Sequence, residues 1–363
     1  MKPQRGRLVH VGTLAQLDRR LAAGARSLRG WRLTGLDLTG RSEALSRLEL
    51  TGATFLGCAF APGDAERAVA EGALVLPRIP EVPVDPYRSQ LYAADELYDT
   101  AVYTDSLDAR AFAWSQQRGD ADDTLAQALH DHAIDEALEA WIEGKRIVGV
   151  MGGHDAQRGS REYADAARLG HTLGASHVVA TGGGPGAMEA ANLGAWLAGR
   201  PLHEVDDALS RLAAVPAFRP SIQEWADVAL AVRHQYDDPE RPPSSLGIPT
   251  WHYGHEPPNV FADAIAKYFR NATREAILLE VCDAGIVFLP GAGGTVQEIF
   301  QDACENYYAD ASAVAPMILL GRDYWTRTYP AWPLLEALAQ GRMMEPHVHL
   351  VDSIDEVAAL VTR

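Results

Sequence analysis

The chain has 363 residues, 47% hydrophobic and 22% charged, with a formal net charge of −17. This is the composition of a globular protein long enough for two domains. It excludes a nucleic-acid binder, which needs a basic face to displace counterions, although a few local cations can still hold a small anion. No apolar run approaches the roughly 18 residues of a membrane span, so none is expected.

Three cysteines, Cys58, Cys282 and Cys304, lie far apart. They offer neither a disulfide framework nor a Cys-x-x-Cys metal spacing, and a reducing cytoplasm suits them. The 12 His residues include no His-Glu-x-x-His pattern. No metal site and no cofactor are expected.

Taken in chain order, residues 1–32 are basic and patterned, which reads as a solvated end rather than a targeting peptide. Leu33 and Leu38 stand five apart, as do Leu50, Phe55 and Phe60. That period resembles pentapeptide repeats and suggests a small β module over residues 1–87. A chance spacing in an irregular sheet fits as well. Pro77, Pro80, Pro83 and Pro86 follow at steps of three, as in an extended polyproline-type linker. Residues 88–144 read as a helical segment, with Leu125, Leu129, Ile134, Leu138 and Ile142 near helical spacing.

Residues 145–363 alternate strands and helices. Ile147–Met151 is a short apolar run ending in Gly152 and Gly153, followed by a helix over about 160–173. His177–Ala180 is a strand ending in Gly182, Gly183 and Gly184, followed by a helix over about 186–198. A helix over about 260–282 then precedes a strand at Gly285–Leu289, a Gly loop and a helix over about 296–307. Two more pairs follow: strand Met317–Leu320 with a helix over 332–340, and strand Val348–Val351 with a helix over 354–362. This order predicts an α/β fold, a parallel sheet with helices on both faces. Ligands in such sheets bind beyond the carboxyl ends of the strands, where all three Gly clusters fall.

The segment Pro290-Gly291-Ala292-Gly293-Gly294-Thr295-Val296-Gln297-Glu298 joins a strand to a helix. Glycines let an anion approach the backbone, and a helix start presents free amides and positive dipole. A ligand-free turn fits the same residues, because Thr295 and Glu298 have capping-box spacing. Gly182-Gly183-Gly184-Pro185-Gly186-Ala187-Met188 contains Gly-x-Gly-x-x-Ala, a weak dinucleotide signal, or a structural turn. Lys267, Arg270 and Arg274 stand at steps of three and four, which would put them on one helix face toward the Pro290 loop or on a solvated basic face.

The two glycine motifs in this order, with Tyr163-Ala-Asp-Ala166-Ala167, resemble the LONELY GUY (LOG) family over roughly residues 146–351. The resemblance implies a Rossmann-like, cytoplasmic homodimer that hydrolyses the N-glycosidic bond of nucleoside 5′-monophosphates such as AMP. By the same resemblance Arg274 and Glu298 would be catalytic. Gly183, Gly184, Met188, Gly291, Gly293, Gly294 and Thr295 would bind substrate, with Lys267 and Arg270 beside them. Ala292 stands where the family has Gly. Glu275 stands where cytokinin-activating members carry Lys, which turns the expectation away from a cytokinin nucleotide. The insert around residues 203–258 and the N-terminal residues up to about 145 resemble instead the longer bacterial relatives, some of which cleave ordinary purine or pyrimidine monophosphates. Trp251, His252, Tyr253, His255 and Glu256 either reach the base or form an aromatic packing cluster. A non-catalytic nucleotide carrier and a dinucleotide oxidoreductase are the competing readings.

Overall fold

The computed structural model describes residues 9–117, 119–252 and 256–361. The chain divides into two compact units, one of residues 1–88 and 119–133, the other of 89–118 and 134–363.

In the first unit β1 (Val9–Val11), α1 (Leu14–Ala22), β2 (Trp31–Thr34), α2 (Ser42–Leu45), β3 (Thr54–Leu56), α3 (Asp64–Ala70) and β4 (Leu74–Leu76) follow one another. The strands lie parallel in the order β1-β2-β3-β4, with Leu33 opposite Phe55 and Phe55 opposite Val75. Parallel bridges Ser27–Glu49 and Asp37–Ala59 flank β2 and β3. The chain therefore coils, and successive coils stack. Leu28, Leu33, Leu38, Leu50 and Phe55 are at most 1% exposed, and Phe60 packs against them. A step of five carries the chain from one side of the coil to the next, so each pentad returns one apolar side chain to the axis. The short helices α1, α2 and α3 interrupt what would otherwise be a plain repeat.

One local expectation fails here. The proline-rich stretch is not a continuous extended linker: Glu81 has a φ of 63°. Ile79 and Val84 are buried, and the Tyr87 hydroxyl donates back to Pro77 O at 2.7 Å. The apolar residues between the prolines pull the segment onto the unit.

The second unit begins with α4 (Ala94–Leu97), α5 (Leu107–Ser115) and the latter part of α6 (Ala121–Ile142). Then come β5 (Ile147–Met151), α7 (Arg161–Gly174), β6 (Val178–Thr181), α8 (Ala187–Trp196), α9 (Leu202–Leu212), α10 (Ile222–Gln235), β7 (Ser245–Gly247) and β8 (Ala264–Ile265). After these follow α11 (Asn271–Glu280), β9 (Gly285–Phe288), α12 (Gly293–Tyr308), β10 (Met317–Leu320), α13 (Ala331–Ala339), β11 (Val348–Val351) and α14 (Ile354–Leu360). The strands form a seven-stranded parallel sheet in the order β11-β10-β9-β5-β6-β7-β8. Without β8 at its edge this is the doubly wound 3-2-1-4-5-6 order of the Rossmann fold, with its reversal between β5 and β9. β5, β6 and β9 are buried along their whole length, as a sheet covered on both faces requires.

The α7–α8 crossing is very close. A Cβ on Gly194 would fall 1.8 Å from Ala167 O, and one on Gly170 would fall 2.1 Å from Ala191 O. Only glycine admits this approach, and it seats the buried helix α8 with its N-terminus at the carboxyl end of the sheet.

The helix expected over 260–282 is shorter at its start. Residues 264–265 form β8, and α11 begins at Asn271 with Arg270 as its N-cap residue. Lys267, Arg270 and Arg274 therefore do not share a helix face.

Candidate functional site

A cleft of about 800 Å³ opens beyond the carboxyl ends of β5, β6, β7 and β9, at the strand-order reversal. Its walls include Gly152 and Gly153 after β5, Gly182 and Gly184 after β6, Pro249 after β7, and the Pro290–Thr295 loop after β9.

The start of α12 forms one end. Its N-cap is Ala292, and no side chain caps it. The expected Thr295–Glu298 capping box does not form, because Thr295 is already the third helical residue and Glu298 lies one turn further on. Gly293 and Gly294 are exposed, with nothing within 4 Å of where a Cβ would project. The first amides of the helix are thus left for a ligand or solvent. Thr295 is 4% exposed and packs its side chain over Gly291, where a Cβ would meet Thr295 Oγ1 at 2.1 Å. The Tyr324 hydroxyl donates to Gly291 O at 2.9 Å and fixes the loop from the other side.

Arg274 projects from α11 and is 9% exposed. Its Nη2 donates to Asn271 Oδ1 at 2.8 Å and lies 3.4 Å from Glu275 Oε1. Gln297 Nε2 donates to Glu275 Oε2 at 2.9 Å, so Glu275 ties the arginine's helix to α12. Arg274 Nε is buried with no hydrogen-bond partner. Glu298 is half-buried in the same wall, and burial pushes its carboxyl up to about 7 against the pull of Arg274. One turn beyond, Asp302 is 5% exposed and burial raises it to about 8.

The Gly182–Gly184 loop is held from below by a buried polar network. Thr181 Oγ1 donates to Asn192 Oδ1 at 2.7 Å and accepts from Gly183 N at 3.0 Å. Asn192 Nδ2 donates to Ser245 Oγ at 2.9 Å, and Asn259 Nδ2 to Asn192 Oδ1 at 3.0 Å and Gly184 O at 3.2 Å. Gly183 has a φ of +71°, and a Cβ there would meet Pro249 Cδ at 2.6 Å. At the neighbouring helix start, Ala187 N donates to Gly153 O at 3.1 Å, which leaves α8 less open to an anion than α12.

The cleft thus gathers Gly184, Met188, Gly291, Gly293, Gly294, Thr295, Arg274 and Glu298. Gly183, Lys267 and Arg270 are not among its described walls. The Gly183 amide is taken by Thr181. Lys267 is fully buried against Asp108, at 2.5 Å, with its ammonium 5.0 Å from the centre of the Trp251 ring. Trp251 Nε1 and the Tyr103 hydroxyl donate to the same carboxylate. Arg270 is exposed at the start of α11. Of the aromatic segment, Trp251 stacks on Phe269 at 4.5 Å in the core, His252 is exposed, and Glu256 reaches the cleft. Tyr253 and His255 lie outside the described residues. Sequence reasoning missed Thr181, Asn192 and Asn259. A lone Asn in an Ala-rich helix as apolar as α8 was the signal available, since such a group needs partners.

Among the described residues no His, Cys, Asp and Glu group is arranged to hold a metal ion. No helix among them is long and apolar enough to cross a membrane.

Fold and cleft together define a doubly wound α/β protein with an open helix N-terminus at its switch point. No protein-family model and no curated protein matches the sequence. Among solved structures the chain is similar to the molybdenum cofactor binding protein from the phototrophic bacterium Rippkaea orientalis. The identity is 19% over 60% of this chain and 94% of that one, with a TM-score of 0.36. It is also similar to the Moco carrier protein from Chlamydomonas reinhardtii, at 20% identity over 60% of this chain and 95% of that one, with a TM-score of 0.36.

Proposed function

We propose that the cleft binds one phosphorylated small molecule, a nucleoside 5′-monophosphate such as AMP or a phosphorylated cofactor of similar build, as a binding or carrier protein does. The observation that carries this is the pairing, in one cleft, of the uncapped amides at Gly293, Gly294 and Thr295 with the buried, partly unpartnered guanidinium of Arg274. Helix-start amides and a fork of N–H donors suit phosphate oxygens. Asp155, Glu162, Glu256, Glu275 and Glu298 share the wall with Arg274. That balance favours a single phosphate over the pyrophosphate of a dinucleotide. Calorimetric titration of the full chain with inorganic phosphate, AMP, GMP and NAD tests it. Saturable binding of the monophosphates, displaced by phosphate, is expected; heat from none of them would refute it.

A second reading, hydrolysis of the N-glycosidic bond, is supported by Glu298 and by the LOG-like motif pair. As the C1′–N bond breaks, its electron pair leaves with the base, which takes a proton. Water bonds to C1′ and gives a proton to the carboxylate, which also stabilises the charge building on the sugar. At neutral pH a carboxyl near 7 is present in both forms. Incubation with a panel of monophosphates, read as ribose 5-phosphate released, separates this reading from simple binding. Glu298→Gln should abolish release and keep binding.

A further inference from the structure

Two side chains of opposite charge, Arg274 and Glu256, stand on either side of Met188 in the wall of the cleft. A Cβ on Gly182 would sit 2.8 Å from Met188 Sδ and 3.7 Å from Arg274 Nη1. A Cβ on Gly184 would sit 3.0 Å from Met188 Cε and 3.7 Å from Glu256 Oε2. Met188 therefore lies against both glycines, with the Arg274 guanidinium beside Gly182 and the Glu256 carboxylate beside Gly184. The Met188 thioether offers a planar ring a polarisable face. Arg274, with its unpartnered Nε, marks the phosphate end. Glu256 lines the cleft on the Gly184 side and is one-third exposed, with His154 Nδ1 4.0 Å from its Oε1.

A carboxylate accepts and does not donate. At the far end of a ring it selects an edge of N–H donors, and two parallel N–H groups satisfy both oxygens at once. We infer that Glu256 reads the heterocycle of the bound monophosphate and prefers the 2-amino-4-oxopyrimidine edge, with its adjacent ring N–H and exocyclic amine. Guanine and the pterins share that edge; uracil and hypoxanthine lack the amine, and adenine lacks the ring N–H. The inference rests on the proposed phosphate site and adds the identity of the ring.

The test compares GMP with IMP, which differ by the 2-amino group alone, by calorimetry on the full chain. GMP is expected to bind at least about tenfold more tightly, the worth of one hydrogen bond to a charged group. Glu256→Gln should bring GMP to the IMP level while leaving inorganic phosphate binding and thermal stability unchanged. A monophosphorylated pterin assayed beside GMP separates the two sources of the edge, and preference for either supports the assignment. Equal affinity for GMP and IMP, or a preference that survives Glu256→Gln, overturns it. Failure of inorganic phosphate and every monophosphate to bind overturns instead the phosphate site beneath it.

Discussion

Asn259 Nδ2 lies 3.0 Å from Asn192 Oδ1, and the same amide group reaches Gly184 O at 3.2 Å. The middle of α8 is thereby joined to the floor of the cleft by side chains with no access to solvent. Asn192→Ala would leave Thr181, Ser245 and Asn259 without their shared partner. Unmade hydrogen bonds of buried groups cost about 1–3 kcal/mol each, so a loss on the order of 3 kcal/mol is expected. Urea denaturation measures it. Because the glycine loop loses its tether, monophosphate binding should weaken in the same variant.

The α7–α8 crossing sets a second expectation. Gly194→Ala places a methyl where Ala167 O already stands, and the contact is with backbone, which cannot swing aside. Although alanine is the better helix former, the clash should dominate, with about 3 kcal/mol of stability lost. Gly199→Ala would be no control, since its φ is +83°. Gly293→Ala, with open space around its Cβ, is the neutral comparison.

Gly293 also permits a test of the helix-start amides. It is the first residue of α12, the one helical position where proline is well tolerated. Gly293→Pro removes one N–H and keeps the helix. Affinity for inorganic phosphate should fall about tenfold with an unchanged melting temperature. Unaltered affinity would mean the anion sits elsewhere.

How much of this could be read from sequence depends on the range of the interactions involved. The strands β5, β6, β9 and β10 announce themselves as short apolar runs shortly before Gly, because they are buried almost throughout. β7 and β8 do not, being three and two residues long. Spacing placed Arg274 and Glu298 near one loop, since the loop and its flanking helices are neighbours in sequence. Lys267 misled for the opposite reason. Its partner Asp108 lies 159 positions away, and a cation three residues from another looks helical even where the helix begins only at Asn271. The expected capping box failed because the helix starts two residues before Thr295, a shift that propensity does not resolve.

The carboxyls of α12 make stability depend on pH. Burial raises Glu298 from its ordinary 4.5 to about 7 and Asp302 from 3.8 to about 8. The folded protein therefore holds these protons more tightly than the unfolded chain does. Their contribution is fully present below the ordinary values and is lost as pH climbs through about 7 and about 8. Wild-type urea midpoints should accordingly fall from pH 5 to pH 9. Asp302→Asn keeps the shape of the protonated acid and cannot ionise. It should match wild type near pH 4 and exceed it at pH 9 by on the order of 3 kcal/mol. Glu298→Gln should show the same trend with a smaller gap, because Glu298 is partly open to the cleft. If the Asp302→Asn midpoints ran parallel to wild type across this range, the carboxyl would be ionised at neutral pH in the fold, and its unpartnered Oδ2 would need another explanation.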